Sequence, residues 1–342
     1  MKANFFAIIL LKQSTFFMKK LLLVVSAGFL LVSSCNKTSS PSENNATDNE
    51  IAAATQRKCA AYDVLEEQLR QDPSLAQRMN EIEAFTRRFT ENSEANKLLP
   101  DGSMEVPVVV NVLYRTAAEN ISDAQIQSQI DVLNEDYAGS NADVNNTNTY
   151  QSVKAGDTKI HFVLSGTVRK STTVTSWGTN DAMKKPSQGG IAPTNPNTTL
   201  NMWSCTMGGG ILGYAQFPGG NPATDGVVIL STAFGRTGTA AAPFGLGRTA
   251  THEVGHYFNL RHIWGDRRCG DDLVGDTPAH DGANFGCPAA NLKSKCQGRP
   301  IEMTMNYMDY TDDACMYMFS SGQKSRMNAT YAVGGPRASL RP

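Results

Sequence analysis

The chain has 342 residues, and its 31 Lys and Arg against 32 Asp and Glu give a formal net charge of −1. That balance excludes a general polyanion binder, because neutralising phosphates takes a surplus of cations, and no nucleic-acid partner is expected. With 40% hydrophobic and 18% charged side chains the chain is not disordered, and its length allows about two domains.

Residues 1–34 read as an address. A first apolar stretch around Phe5–Leu11 is too short for a bilayer. Met18-Lys19-Lys20 then opens a second layout: a positive start, the apolar run Leu21–Val32, and small residues before Cys35. This is the organisation of a secretory signal, with Met18 as its start. Val32-Ser33-Ser34-Cys35 resembles a lipobox, in which the Cys becomes the acylated first residue; the alternative is an ordinary cleaved signal with an incidental Cys35. Several acyl chains on one residue anchor stably where one is marginal. The expected location is the cell envelope or outer surface as a lipoprotein, or the medium after processing, with the membrane met only through that anchor.

Residues 35–56, rich in Ser, Asn, Thr and Glu, read as a flexible tether. From Cys59 to about Asn92 the pattern turns helical. Tyr62, Leu65 and Leu69 share one face; Asp72-Pro73 stops that helix and starts another lined by Leu75, Met79, Ile82 and Phe89. This unit, spanning 57–100, is too small to bury a core alone and reads as an appendage to the larger C-terminal part of the chain.

The main domain, 101–342, opens with a strand over Val108–Tyr114, with Pro107 just before it. Ser122-Asp123-Ala124-Gln125 is a capping box for a helix whose stripe is Ile126, Ile130, Leu133 and Tyr137. Further strands are expected at Lys159–Ser165, Leu200–Cys205, Gly210–Phe217 and Val227–Leu230, and Gly208-Gly209-Gly210 permits a tight turn or a close backbone approach. Strands and helices mixed without a regular βαβ repeat predict an α+β fold. Export places Cys59, Cys205, Cys269, Cys287, Cys296 and Cys315 in an oxidising compartment. Spacing alone cannot assign their pairing, but four of them fall between 269 and 315, which predicts a stapled, loop-rich region.

The segment Thr251-His252-Glu253-Val254-Gly255-His256-Tyr257-Phe258-Asn259-Leu260-Arg261-His262 carries the chemistry. Four residues of α-helix turn through about 400°, so His252 and His256 project from one face as a ready pair of zinc ligands. Glu253 sits one step round, able to reach a metal-bound water without binding the metal. His262 reaches the same ion only if the helix ends and the chain bends back. Asn259 stands where that bend is needed, and Asn, after Gly, best tolerates the left-handed conformation that ends helices. The rival reading is a non-catalytic surface lipoprotein in which the three histidines form a structural metal site. Such sites normally fill the fourth position with a protein ligand and give Glu253 no role.

The string resembles the metzincin signature, and Asn306-Tyr307-Met308-Asp309-Tyr310 resembles its Met-turn. Within the metzincins the chain is similar to the pappalysin family (peptidase family M43, the ulilysin and cytophagalysin-type enzymes). Leu212-Gly213-Tyr214-Ala215-Gln216-Phe217-Pro218, Asp276-Thr277-Pro278, Asp312-Asp313-Ala314-Cys315 and the stretch Ile121–Tyr137 all look like that family's strings. The resemblance covers about residues 104–325, and Asn259 replaces the usual Gly. It implies a mixed, mostly parallel twisted sheet with an active-site helix, an upper subdomain to about residue 258 and a loop-rich lower subdomain over 259–342. It implies a zinc endopeptidase, made as a zymogen, that acts on protein or peptide substrates, with its own segment 57–100 as inhibitor until cleavage near Arg87-Arg88 or Lys97. A monomer is expected.

Residue by residue, the resemblance implies that His252, His256 and His262 bind Zn²⁺. Glu253 would be the general base, Met308 the apolar floor, and Tyr310 a hydroxyl near the metal or the oxyanion. It implies disulfides Cys269–Cys296 and Cys287–Cys315. Arg57-Lys58-Cys59 looks like a cysteine switch, its thiolate favoured by two adjacent cations and placed on the fourth zinc position; a Cys59–Cys205 disulfide is the alternative. Gly208–Pro218 resembles the upper-rim strand that pairs with an extended substrate. Asp271, Asp272, Asp276 and Asp281 read on composition as a solvated acidic loop. The resemblance adds structural Ca²⁺ held by Asp272, Thr277 and the Gly275 carbonyl. Asp312 and Asp313 are candidates to draw basic residues of a substrate, though surface acids seldom define a pocket alone.

Overall fold

Five strands form one sheet in the order β2-β1-β3-β5-β4: β1 Met104–Tyr114, β2 Ile160–Ser171, β3 Leu200–Cys205, β4 Gly213–Ala215 and β5 Val227–Leu230. All neighbouring pairs are parallel except β4 with β5, so the α+β, mostly parallel arrangement stands as expected. This computed structural model describes residues 54–91, 103–146 and 149–340. The expected signal peptide, Cys35 and most of the 35–56 tether lie outside the described residues, as do 92–102 with Lys97.

β3 and β5 have the bounds expected for them, although only β5, Val-Val-Ile-Leu, is a β-branched run; β1 and β2 are longer and β4 much shorter. Pro107 lies inside β1 rather than before it. It is tolerated because β1 pairs with β2 throughout but with β3 only from Val108, which leaves a side of the strand where no ladder donor is required. The pleat sends alternate residues to opposite faces. Met202, Val227 and Ile229 join the core shared with helices α3 (Asp123–Ala138) and α4 (Arg248–Tyr257), while Trp203 and Val228 face a second core. That second core is closed by Val64 and Leu65 of α1 (Ala61–Gln71) and Leu75 of α2 (Ser74–Glu91). The appendage thus borrows the main domain's apolar surface. Tyr62, expected on the packed face of α1, is 38% exposed; the buried stripe is Ala61, Val64 and Leu65.

Ser122 caps α3 by accepting from the Gln125 backbone N–H at 3.1 Å. The Gln125 side chain does not return the bond and donates instead to the Ser231 and Phe234 carbonyls, so it ties α3 to the loop after β5. Beyond α4 the chain is mostly turns until α5 (Ser321–Tyr331), which opens on a full capping box between Ser320 and Gln323. Among the described residues no helix is long and apolar enough to cross a membrane.

Candidate active site

Helix α4 presents His252 and His256 on one face, their Nε2 atoms 3.2 Å apart. The helix ends at Tyr257 with Phe258 as its cap, and Asn259 adopts the expected left-handed backbone at φ 68°. The chain bends there and brings His262 Nε2 to 3.1 Å from His256 Nε2. His252 Nδ1 donates to the Tyr307 carbonyl at 2.7 Å and His256 Nδ1 to the Leu260 carbonyl at 2.8 Å. His262 Nδ1 meets the Asp266 carboxylate. Carbonyls only accept, so the ring protons sit on Nδ1 and the Nε2 atoms face one another as bare lone pairs. Such a convergence repels itself unless a cation lies at its centre, and three neutral imidazoles are a fitting donor set for a borderline metal such as zinc. Burial, with His256 and His262 adding to it, holds His252 well below the usual imidazole range. Burial and His262 bring His256 down to about 3. Both rings are therefore in the neutral, ligating form.

The ring supports come from both sides of the bend. Asp136 of α3 accepts from Thr251 Oγ1 and from Tyr307 OH, each at 2.7 Å. One buried carboxylate thereby fixes the residue before His252 and the residue whose carbonyl orients His252. Burial pushes this carboxyl up to about 6, against the pull of Arg248, Tyr307 and Thr251. Met308 lies beneath α4: a Cβ added to Gly255 would stand 2.5 Å from the Met308 sulfur, so a larger residue there would have to push that buried side chain aside. Trp264 stacks on His262 with ring centroids 4.5 Å apart.

Glu253 is buried under the rim strand β4. A Cβ at Gly213 would meet the Glu253 side chain at 3.0 Å, so Gly213 lets strand and carboxylate pass in contact. Burial raises Glu253 to about 8, against the pull of Cys59 and Arg57. Residues 58–60 run along β4 in parallel: Leu212 N–H donates to the Lys58 carbonyl at 2.9 Å and Ala60 N–H to the Gly213 carbonyl at 3.0 Å. The rim strand thus holds an extended segment by main-chain hydrogen bonds. The ligating atoms of Cys59, His252, His256 and His262 all lie within 4.8 Å of one another. Cys59 Sγ is also 3.4 Å from Glu253 Oε2, and Tyr310 OH donates to the Cys59 carbonyl at 3.1 Å.

The two cations beside Cys59 do not act as expected. Lys58 turns outward to the Gly209 carbonyl. Arg57 is buried against Asp313 at 2.5 Å, with Thr249 Oγ1 and the Thr311 carbonyl as further acceptors and the Phe244 ring 5.1 Å away. Burial and then the Glu253 charge push the Cys59 thiol well above its usual range. Asp313 is the buried floor of an arginine pocket rather than a surface acid, and its other oxygen accepts from the Leu246 and Arg248 backbone.

Cys269 is bonded to Cys296 and Cys287 to Cys315, while Cys59 and Cys205 are separate, buried free thiols, so no Cys59–Cys205 bond exists. In the acidic loop, Thr277 Oγ1 donates to Asp272 at 2.9 Å and Val274 N–H at 3.1 Å, so Asp272 and Thr277 do come together in a turn closed by its own hydrogen bonds, with Gly275 at its tip. The sequence reading missed Gly213, Gly255, Asp266 and the Arg57–Asp313 pair. Asp266 stood four residues after His262 and Gly255 inside the motif, but the other contacts join residues too far apart in sequence to be paired by eye.

Comparison with known proteins gives the family. The profile of peptidase family M43, described as pregnancy-associated plasma protein-A, matches residues 213–332. An extracellular metalloprotease of Pyricularia oryzae is 37% identical over 233 residues, covering 66% of this chain and 72% of that protein. The chain belongs to the M43 family of metzincin metallopeptidases. Promirolysin of Tannerella forsythia superposes with a TM-score of 0.74 at 40% identity, covering 83% of this chain and 97% of that one. Mature mirolysin of the same organism, in complex with a cleaved peptide, gives 0.67 at 43% identity over 70% of this chain and 96% of that one. The M43 chain described here is thus a metallopeptidase with a zymogen among its relatives.

Proposed function

We propose that the chain is an exported zinc endopeptidase held latent by its own residues 57–100, with Glu253 as general base and a preference for Arg beside the scissile bond. The observation that carries this is the convergence of three bare imidazole nitrogens with the Cys59 thiol, directly beside the Glu253 carboxylate. His252, His256 and His262 would hold the ion; when bound, Zn²⁺ polarises a peptide carbonyl and lowers the pKa of water or thiol at its fourth position. In the latent form Cys59 occupies that direction and contacts the base as well, so one residue blocks both. With the segment gone, water has access to Glu253, which takes its proton and passes it to the leaving amine. Tyr310, whose hydroxyl serves the Cys59 carbonyl, is placed to donate to a substrate carbonyl instead. Leu212 and Gly213 keep an extended substrate aligned by the main-chain bonds now given to residues 58–60.

The arginine preference rests on Arg57, whose guanidinium fills the Asp313 pocket. Residues 1–34 as a signal, Cys35 as a lipid anchor and residues 101–342 as the catalytic domain belong to the same proposal; the extracellular relatives support export. Arg87 and Arg88 are exposed at the end of α2, as cleavage there requires. Profiling a peptide library with the processed protein tests the whole reading: Arg should dominate one position next to the cleaved bond. No cleavage at all would favour the structural-metal lipoprotein, and a flat Arg profile would remove the pocket's role.

A further inference from the structure

Arg326, on α5, is 3% exposed and belongs to no part of the chemistry above. Its two terminal nitrogens grip Glu83 of α2 side by side, both at 2.8 Å. Each also donates to a main-chain carbonyl at 3.3 Å: Nη2 to Asn259 and Nη1 to Leu273. Both carbonyls belong to non-glycine residues in the left-handed region, Asn259 at φ 68° and Leu273 at φ 63°. Asn tolerates that conformation, but Leu does not, and strained backbone of the Leu273 kind persists only where its surroundings over-determine it. Asn259 is the bend that returns the chain to His262, so whatever fixes its carbonyl fixes the approach of the third imidazole.

We propose that Arg326 is a positioning residue for His262, and that Glu83 is its counter-charge, so that docking of α2 tightens the metal site from behind while Cys59 closes it from the front. A buried guanidinium matches this task. Its planar fork spans a carboxylate and two carbonyls at once, which a Lys point charge does not. The contact couples three segments distant in sequence: the appendage, the bend and the acidic loop. When the appendage leaves, Arg326 keeps the two carbonyls but loses Glu83, and the bend becomes easier to move. This inference rests on the zinc reading above.

The test is the rate at which the full-length, zinc-loaded chain gives up Zn²⁺ to a colorimetric chelator, well below every variant's melting temperature. Wild type, Arg326→Gln, Arg326→Lys and Glu83→Gln are compared, each also with Cys59→Ser to remove the thiol's own hold. Supporting groups behind metal ligands are typically worth about tenfold or more in metal affinity. Arg326→Gln should therefore release zinc about tenfold faster in both backgrounds, with Arg326→Lys and Glu83→Gln in between. Equal release rates for wild type and Arg326→Gln, even with a lowered melting temperature, would overturn the proposal and leave Arg326 a packing residue. If Arg326→Gln does not fold, an unchanged rate for Glu83→Gln in the Cys59→Ser background overturns it equally. A wild-type chain that takes up no zinc would instead bring down the zinc reading itself.

Discussion

The part of the catalytic unit before Asn259 and the part after it hold one site by opposite means. The first supplies His252, His256 and Glu253 from a helix braced by a five-stranded sheet, and its positions are set by apolar side chains on two faces of that sheet. The second supplies His262, Met308, Tyr310 and Asp313 from turns. There the backbone is fixed by left-handed residues such as Asn259, Asp266, Cys269 and Leu273, by two disulfides, and by buried polar contacts. In the cluster under the Met-turn, Asn284 Nδ2 donates to both Glu302 and Asp309, and His280 Nε2 accepts from Met303 N–H. On the reading proposed above, regular structure carries two of the three imidazoles and the general base, and covalently stapled loops carry the third imidazole, Tyr310 and the groups that shape the pocket.

That contrast can be broken or sharpened by experiment. The largest effect belongs to the helix. Glu253→Gln should cost about 10²–10⁴ in turnover while zinc content stays at the wild-type level, since a general base is lost and no ligand is touched. Retained turnover would remove Glu253 from the chemistry.

Next come the staples. Replacing Cys269 and Cys296 by Ser opens a link between residues 27 apart. In the chain-entropy model it should cost about 3–4 kcal/mol of stability, measured by denaturant unfolding. An unchanged midpoint would mean that the loops are held by their polar contacts alone.

The third concerns pH. Burial, against the pull of Asp281, depresses His280 to about 4, below the about 6.5 of an unfolded His, so its contribution is whole above 6.5 and is lost as pH falls towards 4. Burial raises Asp309, in contact with the same cluster, to about 7, against the pull of Asn284 and the Tyr310 backbone. Its proton uptake therefore adds stability over that same fall in pH, and the two groups oppose each other. Asp309→Asn removes the compensation. Its melting temperature should fall between pH 7 and pH 4 relative to wild type, by the equivalent of at most about 3 kcal/mol. Parallel pH curves for the two proteins would contradict this.

The smallest effect lies at the border between the regions. Asn259→Gly replaces a left-handed residue that is tolerated by one that adopts it freely but loses more chain entropy on folding, and should raise stability by no more than about 0.5 kcal/mol, read from thermal unfolding. A loss instead would show that the Asn side chain does more than tolerate the bend.

The same division governs what could be read from the sequence. β5 is legible as a β-branched run and β3 as a short stretch around Met202 and Trp203; His252, Glu253 and His256 follow from helix geometry, and the Asn259 bend from the tolerance of Asn for the left-handed conformation. β4 is shorter than expected because the apolar Ile211, Leu212 and Phe217 on its flanks read like strand but lie outside its ladder with β5. Helix α5 was missed because its sequence, from Ser321 to Tyr331, is polar with no apolar stripe; only its capping box signalled it. Tyr62 was placed on the wrong face because the second core is lent by another segment of the chain. In the loops almost nothing was local. The disulfide pairing came from family resemblance. The arginine pocket joins residues 256 apart, and the hold of Arg326 on Asn259 spans 67, distances over which no periodicity operates.

The account's central claim is that three imidazoles and one thiol surround a single zinc in the latent chain. X-ray absorption at the zinc edge of the full-length, zinc-loaded protein addresses it directly. The account predicts one sulfur and three nitrogen neighbours, with the sulfur replaced by oxygen in Cys59→Ala. A sulfur-free spectrum for the unaltered chain, or fewer than three nitrogens, would contradict it.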